Sequence, residues 1–295
     1  VTHLAKALVA ALEACLQSTV TKIERVTGGD INDTFLLTLD NGLTRFLKTH
    51  ARPPRGMFQA EARGLRWLAE AQALRIPEVI AVSDTDAPHQ FLVLEAIRPG
   101  GKARDHDEAL GRGLARLHQS SPGSFGLDHD NFLATLPQAN QPCPFSSSWP
   151  DFYATRRLEP LLKRAVDSGH ADSALTKAVS GVIDRIESLV GPSESPARLH
   201  GDLWAGNAIT DHGGLPVLID PAVYGGHREV DLAMMRLFGG FSARVFDAYQ
   251  EAYPLAAGHE QRVALYQLYP LLAHVNLFGG HYVTSATAAA VKALT

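Results

Sequence analysis

The sequence is poor in the residues that make covalent frames and polyanion-binding surfaces. Of its 295 residues only two are cysteine, Cys15 and Cys143, and no C-x-x-C pair occurs. That argues against a disulfide framework and a cysteine zinc site, and fits a reducing cytosol. Basic residues are not in excess either: 27 Lys and Arg stand against 31 Asp and Glu, for a net charge of −4. Nothing is left over to neutralise a phosphate backbone, so nucleic acid is set aside as the main partner. No apolar run reaches the roughly 20 residues of a membrane span. The first helix-like stretch, LAKALVAALEACLQ, is broken by Lys6 and Glu13. The expectation is a cytoplasmic chain without a membrane partner, a monomer or weak homodimer. It starts at Val1 rather than Met, which leaves a processed leader open.

Several catalytic signatures are also missing. The thirteen histidines include no H-E-x-x-H, and no G-x-S-x-G elbow is present, so zinc-protease and serine-hydrolase chemistry have no support. GRGLAR, residues 111–116, begins like a dinucleotide fingerprint, but Arg116 stands where the third glycine belongs and Leu110, Leu114 and Leu117 run through it at helical spacing. It reads as helix packing.

What is present is a core. Hydrophobic residues make up 45% and charged residues 20%, enough for one two-lobed domain or two ordinary ones. Residues 20–50 read as strand, turn, strand, hairpin and strand, with Asp40-Asn41-Gly42 as the hairpin punctuation, since Asn and Gly tolerate positive φ. A helix is expected over 57–70, then a strand pair, PEVIAVS and QFLVLEAI. After Arg98-Pro99-Gly100-Gly101 amphipathic helices are expected at about 105–119, 149–168, 171–190, 241–252 and 261–278, with strand signal only around NAITD and PVLID. Residues 134–149, with three prolines and three serines, read as a loop. The fold class is therefore α+β and bilobal: residues 1–97 form a small antiparallel sheet with one helix, residues 98–295 a mostly helical lobe, and a cleft lies between them.

The stretch LHGDLWAGNAITDHGGLPVLIDPAVY, residues 199–224, puts Asp202, Asn207 and Asp220 into an otherwise apolar, glycine-punctuated run. LPVLI reads as a short buried strand ending at Asp220, and a hairpin at Asp211, Gly213 and Gly214 returns Asn207 to its side. An amide oxygen and a carboxylate make a hard-oxygen site suited to Mg2+, which takes few protein ligands. D-x-x-x-x-N with a later Asp is the arrangement of kinase-type phosphoryl transfer, in which the first Asp receives the proton of the attacking hydroxyl and the others hold the metal. Capping of turns is the plainer alternative for each residue alone.

A nucleotide-binding sheet should then offer a lysine, and the following helix a glutamate to hold it. Lys48 shares a strand face with Phe46, and Glu61 shares a helical stripe with Leu65 and Leu68, which turns its carboxylate inward where it needs a partner. The turn TGGDIND places Gly28, Gly29 and Asp30 where backbone N–H groups can cover phosphates. LEAIRPGG marks a hinge at which backbone groups of Glu95 and Ala96 can meet adenine. ATP and Mg2+ are the implied cofactors.

LHGDLWAGN, IDPAVYGGHREVDLAMMRLFGGF, WPDFYATRRLEPLL and LYQLYPLLAHVNLFGGHY resemble the fructosamine kinase family, the ketosamine-3-kinases of the wider kinase-like and aminoglycoside phosphotransferase fold. The resemblance implies ATP-dependent phosphorylation of the 3-hydroxyl of sugars attached to amines, including protein lysines, as a deglycation step, with ribulosamines and erythrulosamines favoured over fructosamines. It implies Asp202 as base, Asn207 and Asp220 as metal ligands, Lys48 as the phosphate lysine and Glu61 as its partner. Asp30 stands where many members carry cysteine, which puts thiol switching in doubt here.

For the acceptor, no Asp or Glu follows Glu260, so a polycationic antibiotic finds few carboxylates there and a neutral polyol is easier to place. His274, Asn276, His281 and Tyr282 offer hydrogen bonds, and Trp204 a flat apolar face. The alternatives are an aminoglycoside- or choline-type small-molecule kinase, and a catalytically silent kinase-like binding module.

Overall fold

The computed structural model describes residues 4–26, 32–141 and 148–295. Its N-terminal part is a five-stranded antiparallel sheet between two helices. Helix α1 (Lys6–Leu16) leads into β1 (Val20–Val26), β2 (Asp33–Leu39), β3 (Thr44–Thr49), α2 (Met57–Ala69), β4 (Val79–Val82) and β5 (Phe91–Glu95), and the strand order is β1-β2-β3-β5-β4. The β2–β3 hairpin closes where expected: Gly42 takes a φ of 80°, and the Leu43 N–H donates to Asn41 Oδ1 at 3.0 Å.

Strand alternation sorts the sheet residues onto two faces. Phe35, Leu37, Leu47 and Val93 point to α1 and cluster with Leu8 and Leu12. Phe46, Leu92 and Leu94 point the other way, onto Phe58, Ala62 and Leu65 of α2. Each such side chain taken fully out of water contributes about 1.5–3 kcal/mol. Lys48, two residues after Phe46, is thereby placed between sheet and α2.

The remainder is mostly helical. It runs α3 (His106–Gln119), β6 (Asn131–Leu133), β7 (Leu136–Gln138), α4 (Trp149–Tyr153), a π turn (Ala154–Leu158), α5 (Glu159–Asp167), α6 (Ser173–Asp184) and α7 (Ile186–Leu189). Then come β8 (Ala197–Leu199), a 3-10 turn (Ala205–Asn207), β9 (Ala208–Thr210), β10 (Pro216–Leu218), β11 (Tyr224–Gly226), α8 (Glu229–Leu237), α9 (Ala243–Ala252), α10 (His259–Phe278) and α11 (His281–Ala293). Strands pair two by two as β6 with β7, β8 with β11 and β9 with β10.

The structure corrects the sequence reading in four places. The helix expected over 149–168 is interrupted by the π turn, and the one over 171–190 is split at Arg185. Strands β6, β7, β8 and β11 add to the two expected in this region. Part of the segment read as a loop is therefore strand β7, while residues 142–147 of that segment, with Cys143, lie outside the described residues. Helices α8 and α11 were not expected: α8 is buried on nearly every side, from Glu229 to Met235, and so shows no amphipathic period.

Sheet and helical region share apolar packing. Leu68 and Ala73 cluster with Leu110, Leu114, Leu203 and Leu218. The Leu218 N–H donates across the seam to Arg75 O at 3.0 Å, and the segment after the hinge is tied to the β9–β10 hairpin from Gly100 N to Thr210 O at 3.1 Å and from Ala103 N to Gly214 O at 3.1 Å. No described helix is long and apolar enough to cross a membrane.

Candidate active site

The β9–β10 hairpin sets the geometry. Its register pairs Ala208 with Leu218, and the Ile219 N–H donates to Asn207 O at 3.0 Å, so the residues flanking the hairpin stem meet. Asn207 Nδ2 donates to Asp202 O at 2.8 Å, to Asp202 Oδ2 at 3.2 Å and to Asp220 O at 3.4 Å. Asp220 sits at φ +55°, a left-handed conformation costly for a residue with a Cβ. It turns the carboxylate off the strand toward the sheet, where Oδ1 receives Lys48 Nζ at 2.6 Å.

Lys48 is 3% exposed and also donates to Glu61 Oε1 at 2.5 Å. Burial works to neutralise its ammonium, and the Asp220 and Glu61 carboxylates more than reverse this, holding it protonated above its ordinary range. Asp202 has the opposite environment. Burial and the nearby Asp220 charge push its carboxyl up to about 7, against the opposing hydrogen bond from Asn207, which is the range in which a carboxylate serves as a proton acceptor near neutrality.

The loop carrying Asp202 is fixed from below by residues that sequence reasoning missed. Asp231, fully buried on α8, accepts the His200 N–H at 2.8 Å and the Gly201 N–H at 2.9 Å. It also faces His118 Nε2 at 3.2 Å, and His118 Nδ1 meets the Tyr249 hydroxyl at 2.8 Å. Burial alone would raise the Asp231 carboxyl, but His118 and the backbone donors hold it below its ordinary value. His200 Nδ1 accepts the Asp202 N–H at 3.3 Å, so Nε2 carries the proton and donates to Ile219 O at 2.9 Å; burial keeps this ring neutral. Gly201 has φ +82°, and a Cβ there would strike Ala222 O. The available sequence signal was an aspartate inside the apolar run VDLAMM, which needs a buried partner.

A second buried network holds the chain after Asp220. Arg157, turned inward by the π turn, is fully buried with its guanidinium 3.8 Å from the Tyr224 ring centre. It donates to Ala139 O at 2.6 Å and Asn140 Oδ1 at 2.7 Å. Asn131 Nδ2 binds Val223 O at 2.8 Å and Gln138 Nε2 binds Ala222 O at 3.0 Å, while the Tyr269 hydroxyl donates to Gln138 Oε1 at 2.6 Å.

The remaining expected residues are placed as follows. Glu95 ends β5; its N–H donates to Glu78 O at 2.9 Å and its carboxylate receives Arg75 Nη2 at 2.6 Å, so both are committed before Ala96 begins the hinge. Arg75 Nη1 bonds Asp211 in the β9–β10 turn, tying hinge to hairpin. Trp204 is 42% exposed, and its indole lies over Gly206, where a Cβ would run into the ring. His274 Nδ1 meets Pro270 O at 2.8 Å, and its ring is 4.8 Å from that of Tyr282, which is 4.1 Å from His281. Asn276 spends its amide donors on Leu161 O at 3.0 Å and Leu272 O at 2.8 Å, pinning α10 to α5. Gly28, Gly29 and Asp30 lie outside the described residues.

The residues present fit a hard divalent cation. Lys48 occupies one oxygen of Asp220 and the Asn207 donors are turned to Asp202 and Asp220. Among the described residues, Asp220 Oδ2 and Asn207 Oδ1 accept no protein hydrogen bond, so two oxygen donors remain for the ion.

Sheet, helical region and this four-residue cluster define a protein-kinase-like phosphotransferase fold. The likeness extends to aminoglycoside phosphotransferase APH(4)-Ia, with a TM-score of 0.64 at 16% identity over 99% of this chain and 98% of the other. A fructosamine kinase family model matches residues 4–295, and the chain belongs to that family. The solved structure of a putative fructosamine-3-kinase from Thermobifida fusca YX-ER1 is similar at a TM-score of 0.89 and 36% identity, covering 98% of this chain and 99% of that one. Protein-ribulosamine 3-kinase of Arabidopsis thaliana is 37% identical over 270 residues, 90% of this chain and 81% of the relative.

Proposed function

We propose that the protein is an ATP-dependent kinase that phosphorylates the 3-hydroxyl of ketosamines, sugars joined through a ketose carbon to free or protein-bound amines. One observation carries the reading: Lys48 from the sheet and Asp202, Asn207 and Asp220 from the helical region form one connected polar cluster. Family membership supports the acceptor class, as does the ribulosamine kinase among the relatives.

Each residue has a separable task. Asp202 Oδ2 is tied to Asn207, leaving Oδ1 to receive the proton of the acceptor hydroxyl as its oxygen bonds the γ-phosphorus of ATP and the bond from that phosphorus to the β-phosphate oxygen breaks, releasing ADP. Lys48 gives positive charge to phosphate oxygens while Glu61 keeps the ammonium in place. Asn207 Oδ1 and Asp220 Oδ2 would hold Mg2+, which would supply positive charge to the triphosphate. Trp204 offers its exposed face to the sugar ring, and backbone groups at Gly28, Gly29, Asp30 and Ala96, with the carbonyl of Glu95, complete the nucleotide subsite. Residues 1–97 make the nucleotide lobe and 98–295 the catalytic lobe. Two cysteines and no surplus of basic charge support a cytoplasmic setting without nucleic acid.

The test is turnover with ATP and Mg2+ on ribulosyl-, erythrulosyl- and fructosyl-lysine beside choline and kanamycin. Phosphate is expected on the amine-linked sugars, ribulosyl-lysine foremost. Phosphate appearing only on choline or kanamycin overturns the acceptor assignment; nucleotide binding without turnover on any of them makes the chain a silent binding module.

A further inference from the structure

Three aromatic side chains are among the large apolar groups left exposed on this chain: Trp204, Phe238 and Phe278, at 42%, 44% and 60%. Two of them, Phe238 and Phe278, are far apart in sequence yet meet around one side chain. Phe238 caps the C-terminal end of α8, Phe278 ends α10, and His274 stands between them, its ring 5.1 Å from Phe238 and 5.6 Å from Phe278. Tyr282 of α11 closes the group, 4.8 Å from His274 and 6.0 Å from Phe278. Gly240, just past Phe238, packs so closely on Ala205 that a Cβ there would meet the Ala205 methyl. The aromatic surface therefore adjoins the segment that carries Trp204 and Asp202. Exposed aromatic surface of this extent beside a reaction site needs an occupant.

We infer that this surface is the binding platform for the amine carrier of the acceptor: a protonated secondary amine and the aliphatic chain attached to it, as in a sugar-bearing lysine side chain. The inference rests on the ketosamine reading of the site. A ketosamine with its 3-hydroxyl at Asp202 has its amine only a few bonds away, and the amine is protonated at neutral pH, so the carrier leaves the site as a cation on a hydrocarbon stem. Ring faces attract such a cation through their quadrupole and cover the methylenes by apolar contact. The local charge fits. After Glu260 the sequence has no Asp or Glu, so helices α10 and α11 meet the ammonium with ring faces and not with carboxylates. Burial lowers the His274 imidazole below its ordinary value, so the ring at the centre of the platform is neutral and does not repel a cation. Phe238 and Phe278 are the specificity-determining residues; neither touches the Asp202, Asn207, Asp220 or Lys48 cluster.

The experiment compares two acceptors that differ at one position, 1-butylamino-1-deoxyribulose with its protonated amine and the 1-butoxy counterpart with an uncharged ether oxygen. Both are assayed with wild type and with Phe238→Ala, Phe278→Ala and the double variant. Wild type should favour the amine in kcat/KM by about fivefold, and the double variant should lose that preference through KM for the amine, with kcat and KM for ATP within about twofold of wild type. Phe238 is 44% and Phe278 60% exposed, so the variants should fold and melt within a few degrees of wild type. An unchanged amine preference in the double variant overturns the platform, as does an equal loss on both acceptors. If folded wild type phosphorylates no ribulosamine at all, the ketosamine reading fails and this inference falls with it, a result distinct from an active wild type whose variants behave like it.

Discussion

Lys48 Nζ and Asp220 Oδ1 meet at 2.6 Å although 172 residues separate them, and the same ammonium reaches Glu61 at 2.5 Å. The sheet and the hairpin of the helical region are thus joined at the two residues proposed to meet phosphate and metal. Lys48 is almost wholly enclosed, whereas the Asp220 side chain is 43% exposed, so Asp220 can turn to an incoming cation while Glu61 keeps the lysine in place.

Lys48→Met should lower kcat by about a hundredfold or more, since it removes a preorganised cation from the transferring phosphoryl group. Glu61→Gln keeps the shape but not the charge that orients Lys48, so its loss should be smaller and should appear in KM for ATP as well as in kcat. Steady-state kinetics at saturating and limiting ATP separate the two. Wild-type rates in Lys48→Met would remove this lysine from the mechanism.

Asp202→Asn should reduce phosphoryl transfer by at least about a thousandfold without loss of fold. Its stability should carry a pH signature. Native Asp202 keeps its proton up to about 7, whereas an unfolded aspartate releases it near 3.9. Between those values the native state holds more protons than the unfolded one, so this group's contribution to stability falls as pH rises and the cost of the buried charge is complete above about 7. The Asn variant lacks that slope. It should melt higher than wild type at pH 8 and about level with it at pH 4; equal melting temperatures at both would mean that the carboxyl titrates normally.

Arg75 should report on the hinge. Its guanidinium bonds Glu95 at the end of β5 and Asp211 in the hairpin turn, and its carbonyl accepts the Leu218 N–H. Arg75→Ala removes the side-chain ties and leaves the backbone bond. The partly exposed ion pairs are worth about 1 kcal/mol, or roughly 2–4 °C in melting temperature for a domain of this size. Because the tie spans hinge and hairpin, KM for ATP should rise with it. A lowered melting temperature with unaltered ATP kinetics would make Arg75 a local strut.

Legibility in the sequence followed from how local each signal is. Asp202, Asn207 and Asp220 stood out because polar side chains in a glycine-punctuated apolar run need partners nearby in the chain, and the hairpin supplies them. Glu61 was legible because the Leu65 and Leu68 stripe fixes the direction of its side chain. Asp231 was not, because its partners come from two distant segments, His118 on α3 and the His200-Gly201 pair before the catalytic loop. The π turn that turns Arg157 inward leaves no periodic trace, and three-residue strands such as β8 and β11 are shorter than any alternation that could mark them. Asn276 shows the converse: chemically suited to a sugar hydroxyl, it instead bonds the Leu161 and Leu272 carbonyls, a use that depends on where α5 lies.

The glycines of GRGLAR provide a last test, this time of packing against nucleotide binding. A Cβ on Gly111 would run into Val245 O and approach the Ala248 Cβ at 2.9 Å, so α3 and α9 touch backbone to backbone there. A Cβ on Gly113 meets the end of the Leu74 side chain first, which can rotate away. Arg116, at the position a dinucleotide fingerprint gives to glycine, donates to Ala73 O at 3.0 Å. Gly111→Ala must push α9 outward and should cost about 1–3 kcal/mol, while Gly113→Ala should cost less. Below its melting temperature the Gly111 variant should bind ATP as wild type does. A loss of nucleotide affinity beyond what its unfolded fraction explains would make this stretch part of the nucleotide site after all.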